Sequence, residues 1–417
     1  EGRVKTLNPK IFGSILYDRD KDKHTKDFVD LGVPKIDIVV VNLYPFQKFL
    51  KLKETDNLIE MIDIGGSSLI RAASKNFKYV TVLSKTKDYK YLISNIKKNS
   101  GDGTDLDFRK KMATQAFMIT SEYDKNIFDW FNGKKHNLLK LRYGENPGQA
   151  ASLSYKNGKK ITDFQLNGKE LSYNNIVDVD SGYKCLNEFK DTTCIILKHG
   201  NPCGVASSNN ILSAFIKAYS SDPVSAFGGI VFFNRKINTQ LSNKIVKLFF
   251  EIIVAPDFDK ASLNILKRKK NIILLKIKNL KLKNKNMRST IFGVLYQDED
   301  LSNINTKFIN HVSKRTATKK EVDDLIFSLK IVKHTKSNSV VISNNRQTVG
   351  IGSGQTNRVN ALKLAILNMK KNFKNIKFVC ASDGFFPFTD SIKLLKKNNC
   401  NVIAQPHGSI NDQKIIH

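Results

Sequence analysis

The sequence predicts an α/β protein with more than one domain. The chain has 417 residues, of which 41% are hydrophobic and 26% charged. This composition can bury a sizeable core, and the length favours two or three domains. Apolar runs typical of strands alternate with amphipathic stretches typical of helices. That alternation predicts α/β layers with mainly parallel sheets.

Buried parallel strands are predicted where apolar residues follow one another without interruption. Such runs are residues 36–43, 78–83 and 193–197. A helix is predicted where four apolar residues share one face at the i, i+3, i+4, i+7 spacing. These residues are Leu362, Ala365, Ile366 and Met369. No internal repeat of fixed period is visible in the sequence.

A domain boundary is predicted at the polar, Gly-containing segment 131–137, with sequence FNGKKHN. It separates a first domain, residues 1–135, from a second domain, residues 136–417. The basic stretch 266–288 alternates Lys with Leu and Ile over part of its length. We interpret it as a lysine-protected edge strand with solvated flanks, in preference to a nucleic-acid-binding segment.

The charge balance leaves two classes of partner open. The formal net charge is +31, from 69 Lys and Arg against 38 Asp and Glu. Such an excess is found in basic nucleic-acid-binding proteins, which therefore remain an alternative function. However, only 11 of the 69 cations are arginine, the side chain that best matches phosphates and base edges. The lysine excess is more typical of a compositional bias. The positive electrostatic field would still speed the encounter with an anionic substrate.

The cysteines and the apolar runs indicate a cytoplasmic protein. The five cysteines are sparse and odd in number, which is typical of a reducing compartment. No apolar run approaches the roughly 18 residues that a membrane-spanning helix needs. The chain starts at Glu1 rather than Met, so we expect the true N-terminus to lie upstream.

The most informative polar segment is LKHGNPCG, which directly follows the predicted strand 193–197. Ligands of open α/β sheets bind at strand ends. There, Lys198 and His199 offer a proton acceptor beside a fixed cation. A zinc deaminase site is excluded, because Asn201 and Ala206 break the H-x-E and P-C-x-x-C patterns.

Two other glycine-rich segments bear on the ligand. The glycines of DIGGSS precede a predicted helix, whose N–H groups favour an anion or a carbonyl. The segment GIGSGQ fails the dinucleotide fingerprint, because Gln355 stands where the last glycine belongs. The absence of a Walker A pattern disfavours ATP-driven chemistry. In FFPF, three phenylalanines form either a stacking wall or part of the core.

Ten segments occur in the order found in one known family. They are RVKTLNPKIFG, VVVNLYPF, DIGGSSLIRAASKN, LRYGENPGQ, LSYNNIVDVD, KHGNPCG, SDPVSAFGGIV, KSNSVV, GIGSGQTNR and SDGFFPFTD. Together they closely resemble the bifunctional purine biosynthesis family. In that family, aminoimidazole carboxamide ribonucleotide (AICAR) formyltransferase is joined to IMP cyclohydrolase. The resemblance covers nearly the whole chain.

The resemblance implies a fold and two activities. The expected fold is an N-terminal methylglyoxal-synthase-like parallel-sheet domain followed by a formyltransferase of two cytidine-deaminase-like α/β lobes. The expected reactions are formyl transfer from the cosubstrate 10-formyltetrahydrofolate to the 5-amino group of AICAR, then dehydrative ring closure to IMP. A homodimer with the transferase site at its interface is implied, with no catalytic metal and no nucleic-acid or membrane partner.

The resemblance also implies site residues. Catalytic roles fall to His199 as the base, Lys198 as the oxyanion stabiliser and Lys75 as the proton donor and acceptor of the cyclohydrolase. The AICAR-binding residues are Arg142, Tyr143, Gly228, Glu251, Asn338, Arg358 and Phe385. The folate-binding residues are Val359, Asp390, Ser409 and Ile410. The IMP-binding residues are Arg3, Lys5, Thr6, Asn42, Asp63 and Ile64, with Tyr44 orienting the ring.

Departures from the family pattern raise a further alternative. The chain starts at the RVKT motif and stops before the family's final segment, so we expect a fragment lacking both ends, with an incompetent cyclohydrolase half. Histidines of the pattern are replaced by Asn8, Phe12 and Gly148. An inactive remnant of the purine enzyme is therefore an alternative. The retained residues weigh against it: they are Lys198, His199, Asn338, Arg358 and Lys75.

Overall fold

The chain divides into two compact units, unit 1 (Glu1–Asn137) and unit 2 (Leu138–His417). The computed structural model describes residues 6–30, 32–49, 55–132, 138–155, 160–282 and 285–416. Of the predicted linker 131–137, residues 133–137 lie outside this described part.

Unit 1 contains a short parallel sheet and several helices. Its described helices and strands are α1 (Pro9–Leu16), α2 (Asp22–Asp30), β1 (Ile38–Val40), α3 (Phe46–Phe49), α4 (Thr55–Glu60), α5 (Ile64–Lys75), β2 (Thr81–Leu83), α6 (Tyr89–Lys98) and α7 (Leu106–Phe131). The two strands pair in parallel, with Val39 opposite Val82. Both lie within predicted strands, and each is shorter than its apolar run.

The core of unit 1 forms where α5 packs against α7. Small residues allow this close approach: Ala72 and Ala73 of α5 and Ala113 and Ala116 of α7 are all buried. Asp63 caps the start of α5, because its carboxylate accepts from the N–H of Gly66 at 2.6 Å. The cap fixes the entry of the chain into the helix, which orients the polar residues that precede it.

Unit 2 is a larger α/β structure. Its described helices and strands are β3 (Leu138–Lys140), β4 (Ser152–Ser154), β5 (Gln165–Asn167), α8 (Tyr173–Asn187), β6 (Thr193–Lys198), β7 (Asn201–Ser207), α9 (Ile211–Ser221), α10 (Pro223–Ala226), β8 (Ile230–Phe233), α11 (Thr239–Ile245), β9 (Ile252–Ala255), α12 (Lys260–Leu266), β10 (Ile273–Lys276), β11 (Lys285–Thr290), β12 (Gly293–Asp298), α13 (Lys319–Val332), β13 (Val340–Asn344), β14 (Gln347–Gly352), α14 (Arg358–Asn372), β15 (Phe378–Ser382), α15 (Thr389–Lys397), β16 (Cys400–Ala404) and α16 (Asp412–Ile416). The predicted strand 193–197 and the predicted helix around Leu362 are confirmed as β6 and α14.

Ten strands of unit 2 form one mixed sheet. Their order is β16-β15-β13-β14-β7-β6-β8-β9-β10-β5. Six of the nine neighbouring pairs in this described sheet are antiparallel and three are parallel. The prediction of mainly parallel sheets is therefore wrong for unit 2. The cause is two tight hairpins, β6–β7 and β13–β14, each of which reverses the chain within two residues.

The sheet contains two copies of one arrangement. The order helix, strand, strand, helix, strand, helix, strand occurs from α8 to β9, with the extra α10, and again from α13 to β16. In each copy, the first hairpin strand has an antiparallel neighbour on its outer side, which is β8 or β15. That neighbour in turn pairs in parallel with the next strand, β9 or β16. The copies meet where β7 pairs with β14. No internal repeat was visible in the sequence, and two similar lobes were expected only from the family resemblance.

In both copies, a glycine in the second hairpin strand allows the following helix to pack closely against that strand. Gly204 is the fourth residue of β7, and Gly350 is the fourth residue of β14. A Cβ on Gly204 would overlap the carbonyl oxygen of Ala218, and one on Gly350 would overlap that of Ala365. Each alanine is the eighth residue of its helix, α9 or α14. The same packing solution thus positions both hairpins against the helix that follows.

Both faces of the sheet are buried, which explains its continuous apolar strands. Along β6, Ile195 and Leu197 join the core beneath α8 and α13. The alternate residues Cys194 and Ile196 join the core beneath α9. The hairpins therefore project from a rigid layer, with their turns at its ends.

An ion-pair cluster joins α8 to α13. The Glu188 carboxylate lies 2.9 Å from Nζ of Lys333 and 3.0 Å from Nε2 of His334. Burial raises the pKa of Glu188, but the contacts with His334 and Lys333 outweigh it, and the net pKa lies below its ordinary value. The ionised carboxylate therefore stabilises the folded protein.

The basic stretch 266–288 does not form an edge strand, so that prediction is wrong. Its apolar part is β10, which is buried and lies between β9 and β5. The last residues of the stretch belong to β11, which pairs with β12 in a separate hairpin. All residues of these two strands are exposed. At the tip, Ile291 is 93% exposed and Phe292 is 94% exposed.

Candidate active sites

The turn between β6 and β7 carries the two residues that the sequence singled out. Lys198 ends β6, Asn201 begins β7, and these two are paired across the hairpin. His199 and Gly200 form the turn, with φ of 51° and 74°. Positive φ at both central residues is the signature of a type I′ hairpin, and histidine is one of the side chains found in this region more often than most. The tight turn exposes His199 at the end of the sheet.

Hydrogen bonds fix this turn from two sides. Lys198 Nζ donates to the carbonyl oxygen of Phe227 at 2.7 Å. The carbonyl oxygen of His199 accepts from Asn201 Nδ2 at 3.3 Å and from Lys336 Nζ at 3.4 Å. The backbone N–H of Lys336 also donates to Asn201 Oδ1 at 3.0 Å. The turn therefore lies between the segment around Phe227 and the segment around Lys336.

A cavity of about 260 Å³ opens beside the turn. Lys198 and His199 both line it, together with Asp222 and Asn368. The Asp222 carboxylate accepts from the N–H and the hydroxyl of Ser225, at 2.9 and 2.6 Å. An ammonium and an imidazole thus share one polar cavity, where they can act on the same bound group.

A group of predicted AICAR-binding residues lies on the Phe227 side. Arg142 lies 3.5 Å from Glu251, and its guanidinium stacks over the Tyr143 ring at 4.8 Å. Gly228 donates its N–H to the carbonyl oxygen of Phe249 at 2.8 Å, and Glu251 donates its N–H to the carbonyl oxygen of Gly229 at 3.0 Å. The structure therefore brings together Arg142, Tyr143, Gly228 and Glu251.

Glu251 is an ionised acceptor in this group. Burial raises its pKa, but Lys169 at 3.0 Å, an Asn175 hydrogen bond and Arg142 outweigh it, and the net pKa lies below its ordinary value. The buried Nε of Arg142 has no hydrogen-bond partner among the described residues. Arg142 thus keeps unused donor capacity beside a carboxylate that holds its position.

A second group of predicted AICAR-binding residues lies on the Lys336 side. Arg358 begins α14 and pairs with Asp383, while its Nε donates to the carbonyl oxygen of Phe385 at 3.0 Å. Asn338 Nδ2 donates to the carbonyl oxygen of Gln355 at 2.9 Å. Burial raises the pKa of Asp383, but its hydrogen bonds and Arg358 outweigh it, so the net pKa is lowered.

The predicted folate residues lie at the starts of α14 and α15 and on the loop before α16. Val359 is the second residue of α14, and Asp390 is the second residue of α15. Asn411 Nδ2 donates to the carbonyl oxygen of Pro387 at 3.0 Å, which joins the loop of Ser409 and Ile410 to the segment before α15. Ile410 is fully exposed. The loop of Ser409 and Ile410 therefore contacts the segment that leads into the start of α15, where Asp390 lies.

In unit 1 the structure brings some of the predicted IMP-binding residues together. Arg3 and Lys5 lie outside the described residues. Thr6 contacts Gly65 at the start of α5, where Asp63 is the cap and Ile64 is exposed. Asn42 Nδ2 donates to the Tyr89 hydroxyl at 2.9 Å, and the Tyr44 side chain is exposed.

Lys75 lies apart from that group. It is the last residue of α5 and is exposed, whereas Asp63 and Ile64 are at the other end of the same helix. With a rise of 1.5 Å per residue, the axial separation of Ile64 and Lys75 is about 16 Å. The described structure does not place Lys75 beside Asp63.

Sequence reasoning missed the residues that support the site. Lys336 contacts the His199–Gly200 turn, and Asp383 pairs with Arg358. Asp178 of α8 faces the backbone of His199 and Gly200. Asp178 lies within LSYNNIVDVD and Lys336 begins KSNSVV, two segments noted in the sequence, but only tertiary structure brings them to the turn.

Within the described residues, no three His, Cys, Asp or Glu side chains are grouped so that they could hold a metal ion. None of the helices in the described ranges is both long and apolar enough to cross a membrane.

Comparison with known proteins identifies the family. The model of the AICARFT/IMPCHase bienzyme matches residues 73–368. A bifunctional purine biosynthesis protein PurH from Caldicellulosiruptor saccharolyticus is 44% identical over 439 residues, which cover 100% of this chain and 85% of that protein. The PurH of a Thermoanaerobacter species is 43% identical over 99% of this chain and 84% of its own. The PurH of Fusobacterium nucleatum is 42% identical over 100% of this chain and 84% of its own length.

A solved structure, the crystal structure of ForH, is 31% identical over 31% of this chain and 68% of that chain, with a TM-score of 0.28. A score that low carries no structural argument. The family model spans more than half of the chain, and the PurH relatives align along nearly all of it. The chain therefore belongs to the AICARFT/IMPCHase bienzyme family.

Proposed function

We propose that this protein catalyses the last two steps of IMP synthesis. It transfers a formyl group from 10-formyltetrahydrofolate to the 5-amino group of AICAR and then closes the ring of formyl-AICAR with loss of water. The observation that carries the proposal is the Lys198–His199 turn beside a polar cavity in a chain of this family. We assign the transferase to the second domain, residues 136–417, and the cyclohydrolase to the first, residues 1–135.

His199 is the proposed general base. The AICAR amino group is conjugated with its ring and is a poor nucleophile, so removal of its proton during attack accelerates the reaction. The exposed imidazole stands on a turn whose backbone is held by Asn201 and Lys336. This support fixes the backbone that carries the imidazole. Correct positioning is a large part of what a general base contributes.

Lys198 is the proposed stabiliser of the negative charge that develops on the formyl oxygen. Its ammonium donates to the carbonyl of Phe227 and not to a carboxylate, so its charge is not neutralised by that contact. Stabilising an oxyanion in this way is typically worth about 3 kcal/mol. The proposed chemistry assigns no step to a metal ion.

The two groups on either side of the turn are proposed to bind the nucleotide. Arg142 and Arg358 supply guanidinium groups, which suit the phosphate and the carboxamide oxygen of AICAR. Tyr143, Gly228, Glu251, Asn338 and Phe385 complete the set. Glu251 and Asp383 hold the arginines in place before the substrate arrives.

The folate is proposed to bind along Val359, Asp390, Ser409 and Ile410. The residues fit a pteridine, because the exposed apolar surface of Ile410 lies on a loop joined to the segment that carries Asp390. A carboxylate can accept from the N–H groups of the ring, and the apolar side chain can cover its face. When bound, 10-formyltetrahydrofolate supplies the activated formyl group.

For unit 1 we propose a cyclohydrolase site around the start of α5. Thr6, Asp63 and Ile64 surround a helix N-terminus, whose N–H groups favour an anion or a carbonyl. Asn42 and Tyr44 follow β1, and Arg3 and Lys5 are proposed to bind the phosphate. Lys75 keeps its proposed role as proton donor and acceptor, although it lies at the other end of α5.

The finer fold assignment is also a proposal. We assign unit 1 to the methylglyoxal-synthase-like type and unit 2 to two cytidine-deaminase-like lobes. The parallel pairing of β1 and β2 supports the first assignment, and the repeated order of elements in unit 2 supports the second.

We further propose a cytoplasmic homodimer that needs neither nucleic acid nor membrane. All five cysteines are free, as in a reducing compartment. The exposed Ile291 and Phe292 at the tip of the β11–β12 hairpin are apolar side chains of the kind that a partner subunit covers.

The test is His199→Ala in the whole protein. We expect formyl transfer to fall at least 1,000-fold, the combined effect of losing the base and its orientation. AICAR binding, measured by calorimetry, should stay within about threefold of the wild type, because the nucleotide contacts are elsewhere. Turnover close to that of the wild type in a folded variant would refute the proposed site.

A further inference from the structure

The two hairpins of unit 2 turn in the same way. The β6–β7 turn is His199–Gly200, and the β13–β14 turn is Asn345–Arg346. All four residues have φ between 51° and 74°. Three of them carry a side chain in the left-handed region, which L-residues adopt only when the surroundings favour it. Something in the structure must therefore hold each turn.

At the second turn the holding group is Asp324. It is the sixth residue of α13 and is 5% exposed. Its two carboxylate oxygens accept from the backbone N–H groups of Asn345, at 3.0 Å, and Arg346, at 2.6 Å. One aspartate thus binds both N–H groups of the turn.

Asp178 occupies the equivalent place at the first turn. It is the sixth residue of α8, and each pair of equivalent residues, Asp178 and Asp324 or His199 and Asn345, is 146 positions apart. The Asp178 carboxylate interacts with the N–H groups of Gly200 and His199. Its Oδ1 stands 4.0 Å from the point where a Cβ on Gly200 would lie.

Two further groups lie close to Asp178. The Lys336 ammonium and, when it is protonated, the His199 imidazole lower the pKa of its carboxylate. Lys336 in turn donates to the carbonyl oxygen of His199 at 3.4 Å. The carboxylate, the ammonium and the imidazole therefore meet at one turn.

We propose that Asp178 is a positioning residue for formyl transfer, which holds the His199 turn through its backbone N–H groups and orients the imidazole by its charge. It touches neither substrate nor reacting atoms, and it acts through His199. The proposal rests on the proposed function, because it matters to catalysis only if His199 is the base.

The place of Asp178 is electrostatically unfavourable for an ionised carboxylate. Burial raises the pKa of Asp178, and the N–H of Gly200 and the charges of its neighbours offset only part of that effect, so the net pKa lies above its ordinary value. The fold therefore holds this carboxyl at a half-buried position at a cost in stability, as is common for groups placed for function.

The test compares Asp178→Asn with Asp324→Asn in the whole protein. Both changes remove the charge of a turn-binding aspartate at almost constant size, but only the first acts on the catalytic turn. For Asp178→Asn we expect kcat of formyl transfer to fall at least tenfold, with KM for AICAR within threefold, because small misplacement of a catalytic group mainly slows the chemical step. For Asp324→Asn we expect a lower urea midpoint of unfolding and a kcat per folded molecule within twofold of the wild type.

Two results would overturn the proposal. One is an Asp178→Asn protein with kcat within threefold of the wild type, and the other is an equal loss of kcat in both variants, which indicates a structural role only. If either asparagine variant does not fold, Asp178→Ser and Asp324→Ser carry the same comparison with the same outcomes, because serine also removes the charge. His199→Ala, measured in parallel, separates the two claims: turnover retained there overturns the proposed function, whereas turnover lost there, together with an unaffected Asp178→Asn, overturns only the role of Asp178.

Discussion

Lys198→Gln tests the charge at the centre of the proposed transferase site. The substitution removes the ammonium and keeps a polar side chain that can donate a hydrogen bond. Lys198 is the last residue of β6, so its backbone is held by the sheet on one side and by the turn on the other. The change should therefore alter electrostatics more than geometry.

The expected magnitude follows from the single contact and the missing charge. A unit charge about 4 Å from a developing oxyanion is worth about 4 kcal/mol at an effective dielectric of 20. Loss of one oxyanion donor typically costs about 3 kcal/mol, which is about 100-fold in kcat. Within the described part of the chain, the half-buried Lys198 side chain makes a single hydrogen bond, to the carbonyl of Phe227. Its loss should therefore lower the free energy of unfolding by less than about 1 kcal/mol.

The assay is the production of tetrahydrofolate from 10-formyltetrahydrofolate at saturating AICAR, with unfolding in urea measured on the same samples. Lys244→Gln is the matched control, because Lys244 is an exposed lysine of α11 and its loss removes the same net charge. A Lys198→Gln protein with kcat within fivefold of the wild type would refute the reasoning. So would an equal loss in Lys244→Gln, since that would assign the effect to net charge.

Three further changes test other parts of the molecule. Lys75→Ala is expected to slow ring closure of formyl-AICAR while formyl transfer stays within twofold; a parallel loss of both rates in folded protein would count against two separate sites. Glu188→Gln should lower the free energy of unfolding by about 2 kcal/mol at pH 7. Because the folded pKa of Glu188 lies below its ordinary value of 4.5, its contribution is present above that pH and is lost as the pH falls through the folded value. Urea titrations should therefore show the gap closing as the pH falls below 4.5, and a gap independent of pH would contradict this. Phe292→Asp should shift the sedimentation of the protein toward monomer, and an unchanged dimer would remove the hairpin tip from the interface.

The strands and helices of the core could be predicted because their signals are local. The run 193–197 and the helical spacing around Leu362 each report burial of nearby residues. Strand direction could not be predicted in the same way. Strand direction depends on whether a short polar segment is a long connection or a two-residue hairpin. The polar segment at His199–Gly200 is a two-residue hairpin turn, which the sequence alone did not reveal.

The site residues were predicted by resemblance, but their supports were not. The Lys336 ammonium and the His199 carbonyl are 137 positions apart in sequence. Asp383 lies 25 positions from Arg358 and directly follows β15, whereas Arg358 begins α14. Nothing local marks such pairs, because each residue is a common surface type by itself. The pairing of β7 with β14 joins the half of the sheet that carries His199 to the half that carries Lys336.

The repeat within unit 2 supplies an internal argument for the function of His199. Both hairpins have an aspartate at the sixth position of the preceding helix and a glycine at the fourth position of the second strand. At the second turn, Arg346 is used structurally, in an ion pair of 2.6 Å with Asp191. The same frame therefore folds around Asn345–Arg346 as well as around His199–Gly200, so the frame itself does not require a histidine. An imidazole that the fold does not need, exposed beside a cavity that Lys198 also lines and on a turn close to Asp178, is better explained by chemistry than by stability.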